Sequence, residues 1–168
     1  MKNKDTQLLE EAYEKVLLNE DGDVGGNHWG SVSSEGKSYS IYVMDVIKAA
    51  DKTVKAVESP IEQFIPPTNL RTPANVEKYK QDILAGKWKW TPVYAQLWQG
   101  KYTAYDGNHR IAAAIEANKK RPGIVKTIPV RDVAGIIDQT IKNFKSGKET
   151  VIGGVPVRIK ADDTKPSQ

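Results

Sequence analysis

The stretch Tyr102-Thr-Ala-Tyr-Asp-Gly-Asn-His-Arg-Ile-Ala-Ala-Ala-Ile115 decides how this chain reads: a strand runs through Asp106-Gly107 into an alanine-rich helix. Lys101 to Tyr105 has the β-branched and aromatic content of a strand, and Ile111 to Asn118 is built of helix formers with apolar residues at Ile111, Ala114 and Ile115. Gly107 is the predicted joint, because a glycine can take φ > 0 and turn the backbone tightly into the helix. The amides of Asn108, His109 and Arg110 then open the first turn, where the helix dipole favours a phosphate or carboxylate. Arg110 and His109 add donors at the same place. A plainer reading stays open beside this one: Asp106 as a helix cap, Gly107 as a turn residue, and His109 and Arg110 as solvated first-turn side chains.

Working upstream, Pro92 to Trp98 reads as a strand and Gln99-Gly100 as a tight turn, so that Lys101 to Tyr105 is its hairpin partner. Lys87-Trp88-Lys89-Trp90 interleaves cations with aromatics, a pattern that can stack bases and neutralise phosphates. The same pattern is equally that of hydrophobic cover with lysines in solvent, and this is the reading preferred. Thr72 and Pro73 open a helix to about Ala85, with Val76, Tyr79 and Ile83 as its buried stripe and Gly86 beyond its end. Before it, a short strand enters Ser59-Pro60, where Ser59 is expected to cap a helical turn anchored by Ile61 and Phe64. Pro66-Pro67 enforces extended backbone ahead of Asn69 and Arg71. Val43, Val46, Ile47, Ala50 and Val54 mark one face of a further helix, whereas His28 to Lys37 carries no clear period and reads as loop or short strand.

Downstream, Lys119-Lys120-Arg121 closes the alanine-rich helix as a basic cluster that suits its C-terminal dipole and a solvated end. Ile128 to Val133 is a strand, Ile136 to Phe144 a helix with Ile137, Ile141 and Phe144 in register, and Val151 to Val157 a hairpin turning at Gly153-Gly154. The residues from about Ala161 are expected to be disordered.

The chain of 168 residues suits one domain with extensions. It has no cysteine and two histidines, which removes disulfides and a structural zinc site. The formal charge of +4 and pI near 9.1 permit a polyanionic partner without requiring one. No apolar run reaches membrane length and no signal-peptide pattern opens the chain, so a cytoplasmic protein with no membrane partner is expected. Asp5 to Asn19 forms an amphipathic helix with Leu8, Leu9, Ala12, Tyr13, Val16 and Leu17 on one face, followed by an acidic, glycine-rich connection to Gly26. Its apolar face is expected to pack on the body or on a second copy as a homo-oligomer. Asp21-Gly-Asp23 lacks the remaining ligands of a calcium loop.

Asp106-Gly107-Asn108-His109-Arg110 resembles the signature of the ParB/sulfiredoxin superfamily, in which a strand, a Gly-x-[His/Arg]-Arg turn and an alanine-rich helix follow one another. The likeness extends to Val57-Glu-Ser-Pro-Ile-Glu-Gln-Phe-Ile65, to Asn69-Leu-Arg71 and to Ile128-Pro-Val-Arg-Asp-Val133. In form it is nearest to ParB-like domains of phages and bacteria. Asn108 stands where sulfiredoxins carry their cysteine, so sulfinic-acid repair is excluded. Asn108 and His109 also replace the Glu and first Arg with which partition-type ParB proteins hold a magnesium-bound nucleotide.

The resemblance, which covers about residues 54–134, implies an α+β (α/β) core with a small mixed sheet and flanking helices; with the rest of the reading it gives a domain over 27–160, an N-terminal helical arm at 1–26 and a tail at 161–168. It implies a nucleotide- or phosphate-binding domain performing phosphoryl transfer or phosphodiester hydrolysis, of ATPase, kinase or nuclease type. Gly107, Asn108, His109 and Arg110 would cradle phosphates, with Arg71 as a second clamp. Asp106 would hold magnesium or orient His109, and Glu62, with Glu58 near it, would serve as general base. The ligand expected is ATP or another nucleotide with Mg2+, or a polyphosphate. The alternative is a non-enzymatic DNA- or RNA-binding or regulatory protein of phage origin, although no helix-turn-helix follows the core.

Overall fold

A computed structural model describes residues 29–68, 70 and 72–162. These form a mixed α+β protein with four α-helices and three small sheets, and they divide into two compact units. The described residues of Met1–Val54 and Val133–Gln168 make a terminal unit, and Lys55–Asp132 a central one. The expected N-terminal helix, with the homo-oligomer contact assigned to it, lies outside the described residues.

Strands β1 (Trp29–Ser34) and β2 (Lys37–Tyr42) and helix α1 (Val43–Thr53) belong to the terminal unit, and the central unit begins with β3 (Val57–Pro60) and a 3-10 turn (Ile61–Gln63). Next come α2 (Pro73–Leu84), β4 (Val93–Trp98), β5 (Lys101–Asp106), α3 (Asn108–Lys120) and β6 (Thr127–Asp132). Its sheet has the order β3-β6-β4-β5, with β4 and β6 parallel and the outer pairs antiparallel. Alternation sends Val93, Ala95, Tyr102, Ala104, Ile128 and Val130 to one face, where they meet Ile83 of α2 and Ile111, Ala113, Ala114 and Ala117 of α3. Small alanines let α3 approach this core closely.

Helix α2 ends as the sequence predicts. Lys87 N–H bonds the Asp82 carbonyl at 2.9 Å and Gly86 N–H the Ile83 carbonyl at 3.1 Å, the pairing that closes a helix through a left-handed glycine. Trp88 and Trp90 lie in irregular chain and pack against the core, Trp88 on Tyr79 with ring centroids 4.9 Å apart, while Lys87 and Lys89 are exposed. They are hydrophobic cover, though not on a strand. Ser59 departs from expectation. It stays in β3, and its hydroxyl donates to the Tyr102 hydroxyl at 3.4 Å in place of capping a helix.

In the terminal unit, β1 (Trp29–Ser34) and β2 (Lys37–Tyr42) form a hairpin, α1 (Val43–Thr53) follows, and α4 (Ala134–Lys145) leads to β7 (Val151–Ile152), β8 (Val155–Pro156) and β9 (Ile159–Ala161). β9 pairs antiparallel with β2, and the β7–β8 hairpin turns at Gly153-Gly154. Of the two sequence readings for this stretch, loop or short strand, the structure gives the strand; its serines hide the alternation, with Gly30, Ser31 and Val32 buried in succession. Its partner supplies the order: Val32 pairs with Tyr39, and Ser31 Oγ lies 3.2 Å from Ser38 Oγ.

Two further expectations are corrected here. Ala161 closes β9, and Asp162 accepts from Ser38 Oγ at 2.6 Å and also bonds Ser40, so these two residues belong to the sheet and only 163–168 fall outside the described residues. Phe144 is partly exposed at the end of α4, against the edge of Tyr39, and the buried stripe is Ile136, Ile137, Thr140 and Ile141. Among the described residues no helix is long and apolar enough to cross a membrane.

Candidate functional site

The β4–β5 hairpin delivers the turn at Gly107. Its register is regular from Trp98↔Lys101 to Ala95↔Ala104 and then shifts, so that Tyr94 faces Asp106 and Tyr105 is the extra residue of a bulge. Bulges re-aim side chains. With strict alternation Asp106 would follow Tyr102 and Ala104 onto the apolar face; the bulge puts it opposite Tyr94, which lies on the other. Tyr105 itself is buried and donates to Gln96 Oε1 at 2.9 Å, and burial pushes its hydroxyl's pKa far up.

Gly107 is the residue before the first helical position and has φ 102. Two constraints fix it as glycine. The backbone is left-handed, and a Cβ there would lie 2.8 Å from Val93 Cβ, closer still to Val93 Cγ1, and 3.1 Å from Arg110 Nη2. The joint is therefore also a point of close packing between β4 and the start of α3. Asp106 is not the capping residue.

The three residues after the glycine all turn their side chains into the protein: Asn108 is 5% exposed, His109 1% and Arg110 6%. Successive helical residues are about 100° apart, so this first turn is enclosed over more than half its circumference. Asn108 Nδ2 donates to the Ala104 carbonyl at 3.1 Å, tying the helix start back to β5. Arg110 Nη1 donates to the Thr91 carbonyl and to Thr91 Oγ1, each at 2.7 Å, and reaches the Pro92 carbonyl at 3.4 Å. Arg110 Nη2 lies 3.6 Å from Asp106 Oδ2, one helical turn back. A cation so deeply placed needs such a set of acceptors, because desolvating it without them would cost several kcal/mol. Both ring nitrogens of His109 are buried.

The burial of His109 and Arg110 corrects the plainer reading that takes them as solvated first-turn side chains. The structure brings Asp106, Gly107, Asn108, His109 and Arg110 together, and Thr91 and Val93 join them from nineteen and fourteen residues upstream of Arg110 and Gly107. Neither Thr91 nor Val93 is signalled by sequence, since both contacts depend on strand pairing.

Glu62 is not brought to this turn. Its carbonyl accepts from Lys101 Nζ at 3.0 Å, and the neighbouring Ile65 N–H bonds the Tyr102 carbonyl at 2.9 Å. That is the far end of β5, about 13 Å along the strand from Asp106 by the rise of an extended chain. Glu58 accepts from Thr127 Oγ1 at 2.7 Å on an exposed surface of the sheet edge. Arg71, the second clamp, lies outside the described residues. Among the described residues no group of three His, Asp or Glu side chains could hold a metal ion. Comparison with protein-family models, with curated proteins and with solved structures finds no match to this chain.

Proposed function

We propose that the central unit is a nucleotide- or phosphate-binding domain of the ParB-like kind, acting in phosphoryl transfer or phosphodiester hydrolysis, with the start of α3 as its ligand site. The observation that carries this reading is the left-handed Gly107 opening a helix on a turn that is braced from inside by Asp106, Asn108 and Arg110. A helix start so braced keeps its amides in a fixed array, which is the arrangement an anion site needs. In this reading Arg110 is a positioning residue. It sets the Asp106 carboxylate and the Thr91 carbonyl in place, while backbone amides meet the phosphate.

The described residues do not fit a magnesium ion held by the protein alone, for no group of three His, Asp or Glu could hold a metal among them and Asp106 faces Arg110. ATP, another nucleotide or a polyphosphate is the ligand class. A second reading, a DNA- or RNA-binding or regulatory domain without catalysis, is favoured by the burial of His109 and Arg110, since side chains so enclosed serve the turn's shape more directly than its chemistry.

Thermal unfolding with a panel of nucleoside triphosphates and inorganic polyphosphate, with and without magnesium, tests the proposal. A ligand at one hundred times its dissociation constant adds about 2.7 kcal/mol. Absence of any shift, together with absence of heat in titration calorimetry, overturns the phosphate-site reading.

A further inference from the structure

The positive charge of this chain is unequally shared. Lys55–Asp132 contains thirteen Lys and Arg against seven Asp and Glu, a balance of +6; the remainder contains twelve against fourteen, or −2, which together restore the chain's +4. A modest overall charge thus conceals a strongly basic unit.

Much of the excess gathers where the C-terminal ends of α2 and α3 meet. Arg121 Nη1 donates to the Leu84 carbonyl at 3.3 Å, joining the two ends. Lys87 and Lys89 follow α2, Lys119 and Lys120 close α3, and these four and Arg121 are all exposed. The Glu77 carboxyl on α2 is held below its ordinary value by Lys80 first, then Gln81, with Lys120 contributing across the helix pair. The Arg121–Leu84 hydrogen bond places the cations that close α3 beside those that follow α2. Glu77 and Glu116 are engaged by Lys80 at 2.6 Å and Lys119 at 3.0 Å; with Asp82 of α2 counted, the six cations Lys80, Lys87, Lys89, Lys119, Lys120 and Arg121 stand against three acids, a surplus of +3.

Helix dipoles account for part of this. Two C-terminal ends favour cations in their last turns. They do not account for Lys87 and Lys89, which lie beyond α2 on a segment fixed by Trp88 and Trp90. The backbone under these charges is also ordered. Asn118 exchanges two 2.9 Å hydrogen bonds with Val125, Ile124 N–H bonds the Arg121 carbonyl at 3.2 Å, and the Gly86 closure holds Lys87. Binding there would order little beyond the side chains.

We propose that this surface binds the phosphate backbone of a nucleic acid without reading its sequence. A membrane surface fits less well, because the large exposed hydrophobics of the central unit are Val57, Ile65, Leu97 and Trp98, none of them at these helix ends. The proposal is independent of the ligand at Gly107, since α3 rises about 18 Å from Asn108 to Lys120.

The test uses the full chain and fluorescently labelled 20-mers of duplex DNA, single-stranded DNA and RNA, with binding followed by anisotropy between 50 and 200 mM salt. Four or five neutralised phosphates predict a slope of log K against log salt of about −3.5 to −4.5 on duplex. Lys119→Ala/Lys120→Ala/Arg121→Ala should flatten that slope by about 2.7 and, separately, Lys87→Ala/Lys89→Ala by about 1.8, each weakening binding at least tenfold at 50 mM salt. Lys142→Ala/Lys148→Ala, exposed residues of the terminal unit, should leave both unchanged. No binding of any of the three nucleic acids at 50 mM salt overturns the proposal, as does binding whose slope neither central-unit variant alters. A nucleotide shift that persists in the Lys119→Ala/Lys120→Ala/Arg121→Ala variant belongs to the turn and one that is lost there belongs to this surface, so either reading can fail without the other.

Discussion

Arg110 donates from one guanidinium nitrogen to both the carbonyl and the hydroxyl of Thr91, at 2.7 Å each, across nineteen residues of sequence. That one nitrogen ties the start of α3 to the chain entering β4, and with Asp106 beside it the guanidinium is a brace for the turn at Gly107.

Removing the brace should cost stability before it costs anything else. Arg110→Ala leaves the Thr91 carbonyl short of a buried donor and Asp106 without its cation, so a loss of about 3 kcal/mol in denaturant unfolding is expected. Arg110→Lys keeps the charge but not the planar fork, and should fall between the two. Nucleotide affinity measured on the folded fraction separates the roles. A positioning residue lowers affinity in both variants along with stability, whereas a purely structural one leaves the affinity of the folded protein unchanged.

At Gly107 the expected cost has two sources. Gly107→Ala places a side chain in left-handed backbone, at about 1–2 kcal/mol, and pushes it into Val93, at about 1–3 kcal/mol more. Val93→Ala should relieve only the second. The double variant is therefore expected to be more stable than the sum of the singles predicts, by about 1 kcal/mol. Strict additivity in urea titrations would show that the Val93 contact is not the source of the glycine requirement.

The terminal unit carries an acid-sensitive clasp. Asp45 accepts from Arg158 at three points, 2.8 to 3.1 Å, and the guanidinium lies 3.7 Å from the centre of the Tyr42 ring. Burial raises the Asp45 carboxyl, but the hydrogen bonds and charge of Arg158 outweigh it and hold the group below its ordinary 3.8. A carboxyl lowered in the folded state stabilises above its unfolded value and loses that contribution as pH falls through the folded one. Stability should accordingly decline below about pH 4, and Asp45→Asn should flatten that part of the profile while lowering stability at pH 7. An unchanged acid limb in the variant would assign the acid sensitivity to other carboxylates. Because Arg158 is half-exposed, 1 M salt should weaken the clasp.

The sequence by itself determined the local elements whose signals are carried within one turn or one hairpin. Strand, glycine and helix around residue 107, the α2 stripe with its Gly86 closure, and the hairpins at Gln99-Gly100 and Gly153-Gly154 all follow from periodicity and turn chemistry, because backbone sterics act between near neighbours. Tertiary structure decided what those elements do. Whether Arg110 faces solvent or core depended on Thr91, Pro92 and the bulge at Tyr105, none of which a helix-start pattern contains. The serine-rich strand β1 needed its partner β2, and Asp162 needed Ser38 and Ser40, to gain the hydrogen bonds that local propensity withholds. Charge followed the same division: composition gives +4 for the chain, and only the folding of Lys55–Asp132 into one unit concentrates +6 there. Short-range sterics can be read residue by residue, but burial and electrostatic field are sums over neighbours that the fold alone brings together.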